Sequence, residues 1–189
     1  MKIFALIFTA LAFATATVPA QVPVVISDRN IKIEKVQVDY VPTPEFQYTG
    51  KPKRFETAKW IEIEVEFAVD GIELVDELTL EYTALVNGKL CTAEVTHVNI
   101  PKGRSRFSVM FISPRNLERL AFPKQFMQGM VDNVWVIPSK QGVKLTGKAV
   151  INKAIPNLPR IPDMLSPKSD TPFHVLWWDR YEAVKPKGR

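Results

Sequence analysis

The chain has 189 residues, a formal net charge of +5 and one cysteine, Cys91. That length supports one domain with its own core, and a lone cysteine excludes an intrachain disulfide, so stability must come from apolar packing. Beyond the first twenty residues no apolar run reaches the roughly 18 residues a membrane-spanning helix needs.

Met1 and Lys2 make a short positive start, residues 3–16 are apolar, and Val18, Pro19 and Ala20 place small residues before Gln21. This is the pattern of a secretory signal peptide, with an apolar core too short to act as an anchor. Cleavage after Ala20 leaves an exported chain with no transmembrane anchor, destined for the periplasm, the outer membrane surface or the medium.

Residues 31–41 read as a first strand with a phase slip. Ile31 and Ile33 share one parity, Val36, Val38 and Tyr40 the other, and a bulge near Glu34 and Lys35 reconciles them. Pro42 and Pro44 end it, and residues 43–58 form a polar loop or irregular edge. Residues 60–69 alternate cleanly. Ile61, Ile63, Val65, Phe67 and Val69 fall on one face and Glu62, Glu64 and Glu66 on the other, which predicts one buried and one wet face. Asp70 and Gly71 mark a turn.

Asn87-Gly88 is the favoured pair for a two-residue hairpin turn. Setting Val86 opposite Lys89 pairs Ala84 with Cys91, Tyr82 with Ala93, Leu80 with Val95 and Leu78 with His97. Thr83–Thr92, Glu81–Glu94 and Thr79–Thr96 then share the other face. The register buries Cys91, and it sets two glutamates opposite each other, which needs a nearby cation. Pro101 to Arg106 is expected as a loop before a strand carrying Phe107, Val109 and Phe111. Ser113-Pro114 opens a short helix through Leu120. Strands follow at 131–137 and 143–151. Five prolines between Pro156 and Pro172 predict an extended surface run, and the aromatic stretch from Phe173 to Trp178 a last strand or edge.

These elements point to an all-β protein, an antiparallel immunoglobulin-like β-sandwich with one short helix and an extended Pro-rich C-terminal segment. Its divisions are a signal peptide (1–20), the sandwich (21–155) and the Pro-rich segment (156–189) packing on it. Charge is unevenly divided. Residues 28–94 hold fourteen acidic and eight basic side chains, residues 95–189 six acidic and sixteen basic. Either the molecule is dipolar, or the halves interleave and the charges mix.

The chemical inventory is thin: two histidines, no metal-spaced pair, no glycine-flanked nucleophilic serine and no phosphate-cradling glycine loop. His97 reads as a satisfied core histidine. Glutamates two apart on a strand lie roughly 6.5–7 Å apart, within the range of an inverting glycosidase pair, but alternation on a solvated face is what any half-buried strand shows and is the expected reading. No catalytic residue, cofactor or metal site is expected, and an exported chain is not expected to bind nucleic acid. Candidate contacts are Lys102, Arg104 and Arg106 for anionic groups, and Trp177, Trp178 and Tyr181 for a sugar ring or a neighbouring subunit.

Three stretches resemble a known family: Ile100-Pro101-Lys102-Gly103-Arg104 running into Phe107-Ser108-Val109, Ser113-Pro114-Arg115-Asn116-Leu117-Glu118-Arg119-Leu120, and Leu176-Trp177-Trp178-Asp179-Arg180-Tyr181-Glu182. The family is one of small exported verrucomicrobial proteins, pilus-like and associated with a type IV pilus-like gene cluster in mucin-degrading gut bacteria. The resemblance implies an immunoglobulin-like fold similar to archaeal type IV pilin domains, and no catalytic residues. Type IV pilins keep an apolar N-terminal helix that cleavage after Ala20 would remove here. The expectation is therefore a non-enzymatic role in a pilus-like or cell-envelope assembly or in surface adhesion. Its expected partners are envelope or pilus-cluster proteins or a second copy. The alternative is a carbohydrate- or anion-binding module for mucin glycans or lipopolysaccharide.

Overall fold

The structure, a computed structural model, describes residues 26–46, 58–145, 154–177 and 179–186. The signal-peptide assignment, most of the 43–58 loop, the distal part of the 143–151 strand and Trp178 lie outside these. The described elements are β1 (Ile31–Pro42), β2 (Lys59–Val86), β3 (Lys89–Ile112), α1 (Pro114–Ala121), β4 (Val131–Lys140), β5 (Val143–Lys144), β6 (Arg160–Pro162) and β7 (Leu165–Pro167). The protein is all-β, as its alternation predicts.

Two strands dominate. β2 is 28 residues long and β3 is 24, and they pair antiparallel from Ile61↔Ile112 to Val86↔Lys89. Asn87 and Gly88 close the ribbon at φ 48° and 73°, the left-handed pair a tight hairpin demands. Every pairing expected from the hairpin is present, including Ala84↔Cys91, Leu78↔His97 and Thr79↔Thr96. The last is tied by a 2.8 Å hydroxyl–hydroxyl bond. Glu81 and Glu94 do face each other, and Lys144 (2.6 Å) and Arg160 (3.0 Å) supply the cations that Glu81 needs.

Asp70 and Gly71 do not end a strand, nor do residues 101–106 form a loop. Both lie inside the ribbon, where the register shifts between Phe67 and Val69 and between Val69 and Leu74. Gly71 (φ 73°), Asn99 (φ 54°), Gly103 (φ 151°) and Ser105 (φ 58°) concentrate left-handed backbone at this point. At two of these positions a side chain would also press on the end of a neighbouring side chain. A Cβ on Gly71 would lie 2.9 Å from Asn30 Nδ2, and one on Gly103 2.8 Å from Arg106 Nη2. The irregularities bend the ribbon, so that its two arms face each other. Ser108 of the proximal arm contacts Tyr82 and His97 of the distal arm.

β1 extends the proximal arm, with a register shift between Ile33 and Lys35 where a bulge is expected. β4 extends the distal arm, β5 follows β4, β6 adds to β3 in parallel and β7 in antiparallel sense. The main core lies between the arms: Ile61, Ile63, Val65 and Phe67 from one, Leu78, Leu80, Tyr82, Ala84, Cys91 and Val95 from the other, sealed by Leu117 and Leu120 of α1. Burial pushes the Cys91 thiol up to about 11, so it packs as a small apolar group. α1 is capped by Ser113, whose hydroxyl accepts from Asn116 N–H, with Pro114 in the first turn.

The second face of the proximal arm is not wet. Val109 and Phe111 on that face are buried with Phe173, and Val41, Trp60, Leu176 and Tyr181 pack around them. The C-terminal stretch reaches there as a 3-10 helix (Pro172–Val175) started by Thr171, not as a last strand. Pro172 presets the first turn, and the Thr171 hydroxyl takes the Phe173 N–H, so the local chemistry favours a helical turn. Phe173 stacks on Phe111 at 4.5 Å between centroids and meets Trp60 edge-on at 5.6 Å.

Ile63 is fully buried between the arms. Ile63→Ala is expected to cost roughly 2–5 kcal/mol through lost burial and a residual cavity. Urea unfolding measures it, and a loss under about 1 kcal/mol would mean that the inter-arm core is wrongly placed.

Candidate functional site

The titratable and aromatic groups converge where the C-terminal segment crosses the proximal arm. Glu64 is the anchor. Arg180 donates to both its oxygens, Nε to Oε2 at 2.9 Å and Nη2 to Oε1 at 2.7 Å, and the Tyr181 hydroxyl donates to Oε2 at 2.9 Å. This planar two-point pairing is the strongest geometry available to a guanidinium and a carboxylate. The Arg180 bonds hold the Glu64 carboxyl below its ordinary range, and Glu64 in turn raises Arg180. The guanidinium also lies 4.1 Å from the Phe107 ring centroid.

Glu62 is the opposite case. It is 8% exposed, it faces Asp39 across the β1 pairing, and its Oε2 has no hydrogen-bond partner. Burial first, then the neighbouring Glu64 and Asp39, raise its carboxyl above the usual range. Glu66 accepts from the Ser105 hydroxyl at 2.8 Å. The three glutamates therefore have three different environments under a cover. A general acid/base pair needs two free carboxyls across an open cleft, and Glu64 is already occupied.

Between the arms runs a polar chain through the core. Tyr82 donates to Ser108 Oγ at 2.6 Å, and Ser108 Oγ lies 2.7 Å from His97 Nε2. His97 Nδ1 lies 3.0 Å from the Glu182 carbonyl, which can only accept. Nδ1 therefore carries a proton, Nε2 accepts from Ser108, and every group in the chain is satisfied with His97 neutral. Tyr82, Ser108 and His97 are at most 1% exposed. A serine beside a histidine is a nucleophile's arrangement, but here the Ser108 hydroxyl is fully buried and already bonded to both Tyr82 and His97. The chain latches the C-terminal segment instead. Lys185 N–H donates to the Thr96 carbonyl and Val98 N–H to the Ala183 carbonyl, and Arg106 meets Glu182 at 3.5 Å.

The sequence-derived contact residues do not come together as one site. Ser105 at positive φ breaks the alternation, so Arg106 turns inward, donating to the Lys102 carbonyl and facing Glu182. Lys102 pairs with Glu73 at 3.1 Å, and Arg104 stays exposed. Tyr181 points in, at Glu64. Trp177 is 48% exposed at φ 47°, and the aromatic plug of the covered face is Phe173, which sequence reasoning had not singled out. Among the described residues no three His, Cys, Asp or Glu side chains are placed to hold a metal. No described helix is long and apolar enough to cross a membrane.

Two surface hollows border these elements. One, of about 700 Å³, lies between β3 and the C-terminal segment and is lined by Glu94, Thr96, Pro167, Asp170, Val184 and Lys185. The other, of about 680 Å³, lies beside α1 with Tyr40, Lys59, Leu117, Phe122, Lys124 and Phe126 around it. Sequence reasoning missed the second. Its only signal was an aromatic residue directly after the helix.

One family model matches residues 24–188. The chain belongs to that family. Among the solved structures the chain is similar to a crystal structure of a protein from Akkermansia muciniphila, with a TM-score of 0.69 and 21% identity. The match covers 84% of this chain and 94% of that one. The structural match shows a shared all-β fold. No curated protein is significantly similar in sequence.

Burial lowers the His97 pKa from 6.5, so the folded state favours the neutral ring. A depressed imidazole contributes stability that is present above the unfolded value and lost as pH falls below it. The urea midpoint is expected to fall from about pH 6.5 towards pH 5, and His97→Gln to remove that slope. Glu62 and Glu182 are raised, so they act with opposite sign at lower pH. An identical slope in the variant would show that His97 is not the titrating group.

Proposed function

We propose that this chain is a non-enzymatic exported protein that takes part in a pilus-like or cell-envelope assembly. The observation that carries this reading is how its chemically able side chains are used. Glu64 is clamped by Arg180 and Tyr181, both His97 nitrogens are bonded inside the core, and Cys91 is buried. Each serves to hold the segment after Thr171 or the inter-arm core in place. Family membership, the fold shared with the Akkermansia muciniphila protein and the signal-peptide pattern of residues 1–20 support the same reading.

In-cell crosslinking with mass spectrometry on the tagged full-length protein tests it. Crosslinks to envelope or pilus-cluster proteins, or to a second copy, are the expected result. Recovery as a free, uncrosslinked monomer would overturn the assembly role. The half-exposed Trp177 and the exposed Arg104 favour one second reading, a carbohydrate- or anion-binding module. A glycan array carrying mucin glycans and lipopolysaccharide decides it, with Trp177→Ala expected to abolish any signal and an array without signal removing the reading.

A further inference from the structure

The end of the sandwich that carries α1 has a surface none of the preceding roles uses. The helix C-terminus meets the tip of the ribbon there: the Leu120 carbonyl accepts from Asn87 Nδ2 at 3.0 Å and Lys89 Nζ at 2.9 Å. Immediately after it Phe122 stands 77% exposed, more than any other large apolar side chain among the described residues, and Met127 is 62% exposed. The hollow beside them is walled by Tyr40, Leu117 and Phe126.

Cations gather at this end. Arg115 and Arg119 project from the solvent face of α1, and Lys59 and Lys124 line the hollow. None of the four is in an ion pair among the described residues, a condition they share with Arg29, Lys35, Lys89, Arg104 and Lys168, but Lys59 and Lys124 line the same hollow as the exposed Phe122. Glu118 is the one carboxylate lining the hollow, so cations outnumber it.

We propose that this end docks on an anionic lipid surface. Exposed apolar side chains ringed by uncompensated cations call for a partner that is both apolar and anionic. Phe122 and Met127 protrude, so a protein partner would need a matching pocket. A bilayer interface needs none: it admits a protruding ring to the acyl boundary while phosphates meet the surrounding lysine and arginine heads, whose stems lie along the apolar surface. The 122–127 segment carries Lys124 between the two exposed apolar side chains, Phe122 and Met127, which places charge and ring at adjacent depths. This docking is independent of the assembly role, since it requires no protein partner.

Flotation of residues 21–189, the chain left by cleavage after Ala20, with vesicles of phosphatidylcholine, with and without phosphatidylglycerol, tests it. Binding is expected only to the anionic vesicles and is expected to weaken as salt is added. Phe122→Ser is expected to lower the partition coefficient about tenfold, the loss of one buried aromatic side chain. Arg119→Glu should lower it as well. Met127→Ser provides a second apolar variant, circular dichroism confirms that each variant folds, and Lys32→Glu near the ribbon bend should leave binding unchanged. No flotation with anionic vesicles, or equal flotation with neutral ones, would overturn the proposal. So would indifference to both apolar variants, or capture of an acidic protein through Phe122 without any vesicle binding.

Discussion

The molecule depends on one ribbon serving two layers. Most sandwiches build each sheet from separate strands joined by loops. Here β2 and β3 run the length of both, and a bend replaces the loops. The bend needs backbone that ordinary residues resist, which is why Gly71 and Gly103 sit there at positive φ. Once the arms face each other, the buried Ser108 has only Tyr82 and His97 to satisfy it, and an unsatisfied hydroxyl at that depth would cost about 1–3 kcal/mol. The polar chain therefore specifies how the arms meet as well as joining them.

The same bend explains the charge pattern. A dipolar molecule would require the acidic and basic halves of the chain to occupy different regions. Instead, six of the eight ion pairs among the described residues join a carboxylate from the first half to a cation from the second: Glu64–Arg180, Glu73–Lys102, Asp76–Lys140, Glu77–Lys185, and Glu81 with both Lys144 and Arg160. The halves interleave. Several of these pairs are exposed and contribute little stability singly, but they discourage misplaced pairings between like-charged strands.

What was legible in the sequence was what period two and turn chemistry dictate. The hairpin register could be read residue by residue because Asn87-Gly88 admits one tight turn and a one-residue slip would expose Leu80 and Tyr82. The bend was misread because Asp70-Gly71 and Pro101 to Gly103 are as common in turns as in bulged strands, and only tertiary contact decides between them. The covered second face was hidden for a related reason. Glu62, Glu64 and Glu66 look solvated until Arg180 and Tyr181, more than a hundred residues later, reach Glu64. Phe173 as the plug was concealed by the louder tryptophan pair that follows it, and Thr171-Pro172 was the turn-starting signal that marked it.

The Arg180–Glu64 pair spans 116 positions of sequence, and the Glu182 carbonyl that satisfies His97 comes 85 residues after it. A chain with such distant closing contacts orders slowly, because long loops must close before the contacts reward them. Synthesis proceeds from the N-terminus, so the two arms exist for some time before the residues that latch them have been made. During that interval the proximal arm's outer face lacks Phe173, and His97 lacks its acceptor. The latch that residues 171–186 make with both arms is therefore the last contact to close, and the two arms meet before anything fixes their angle from outside.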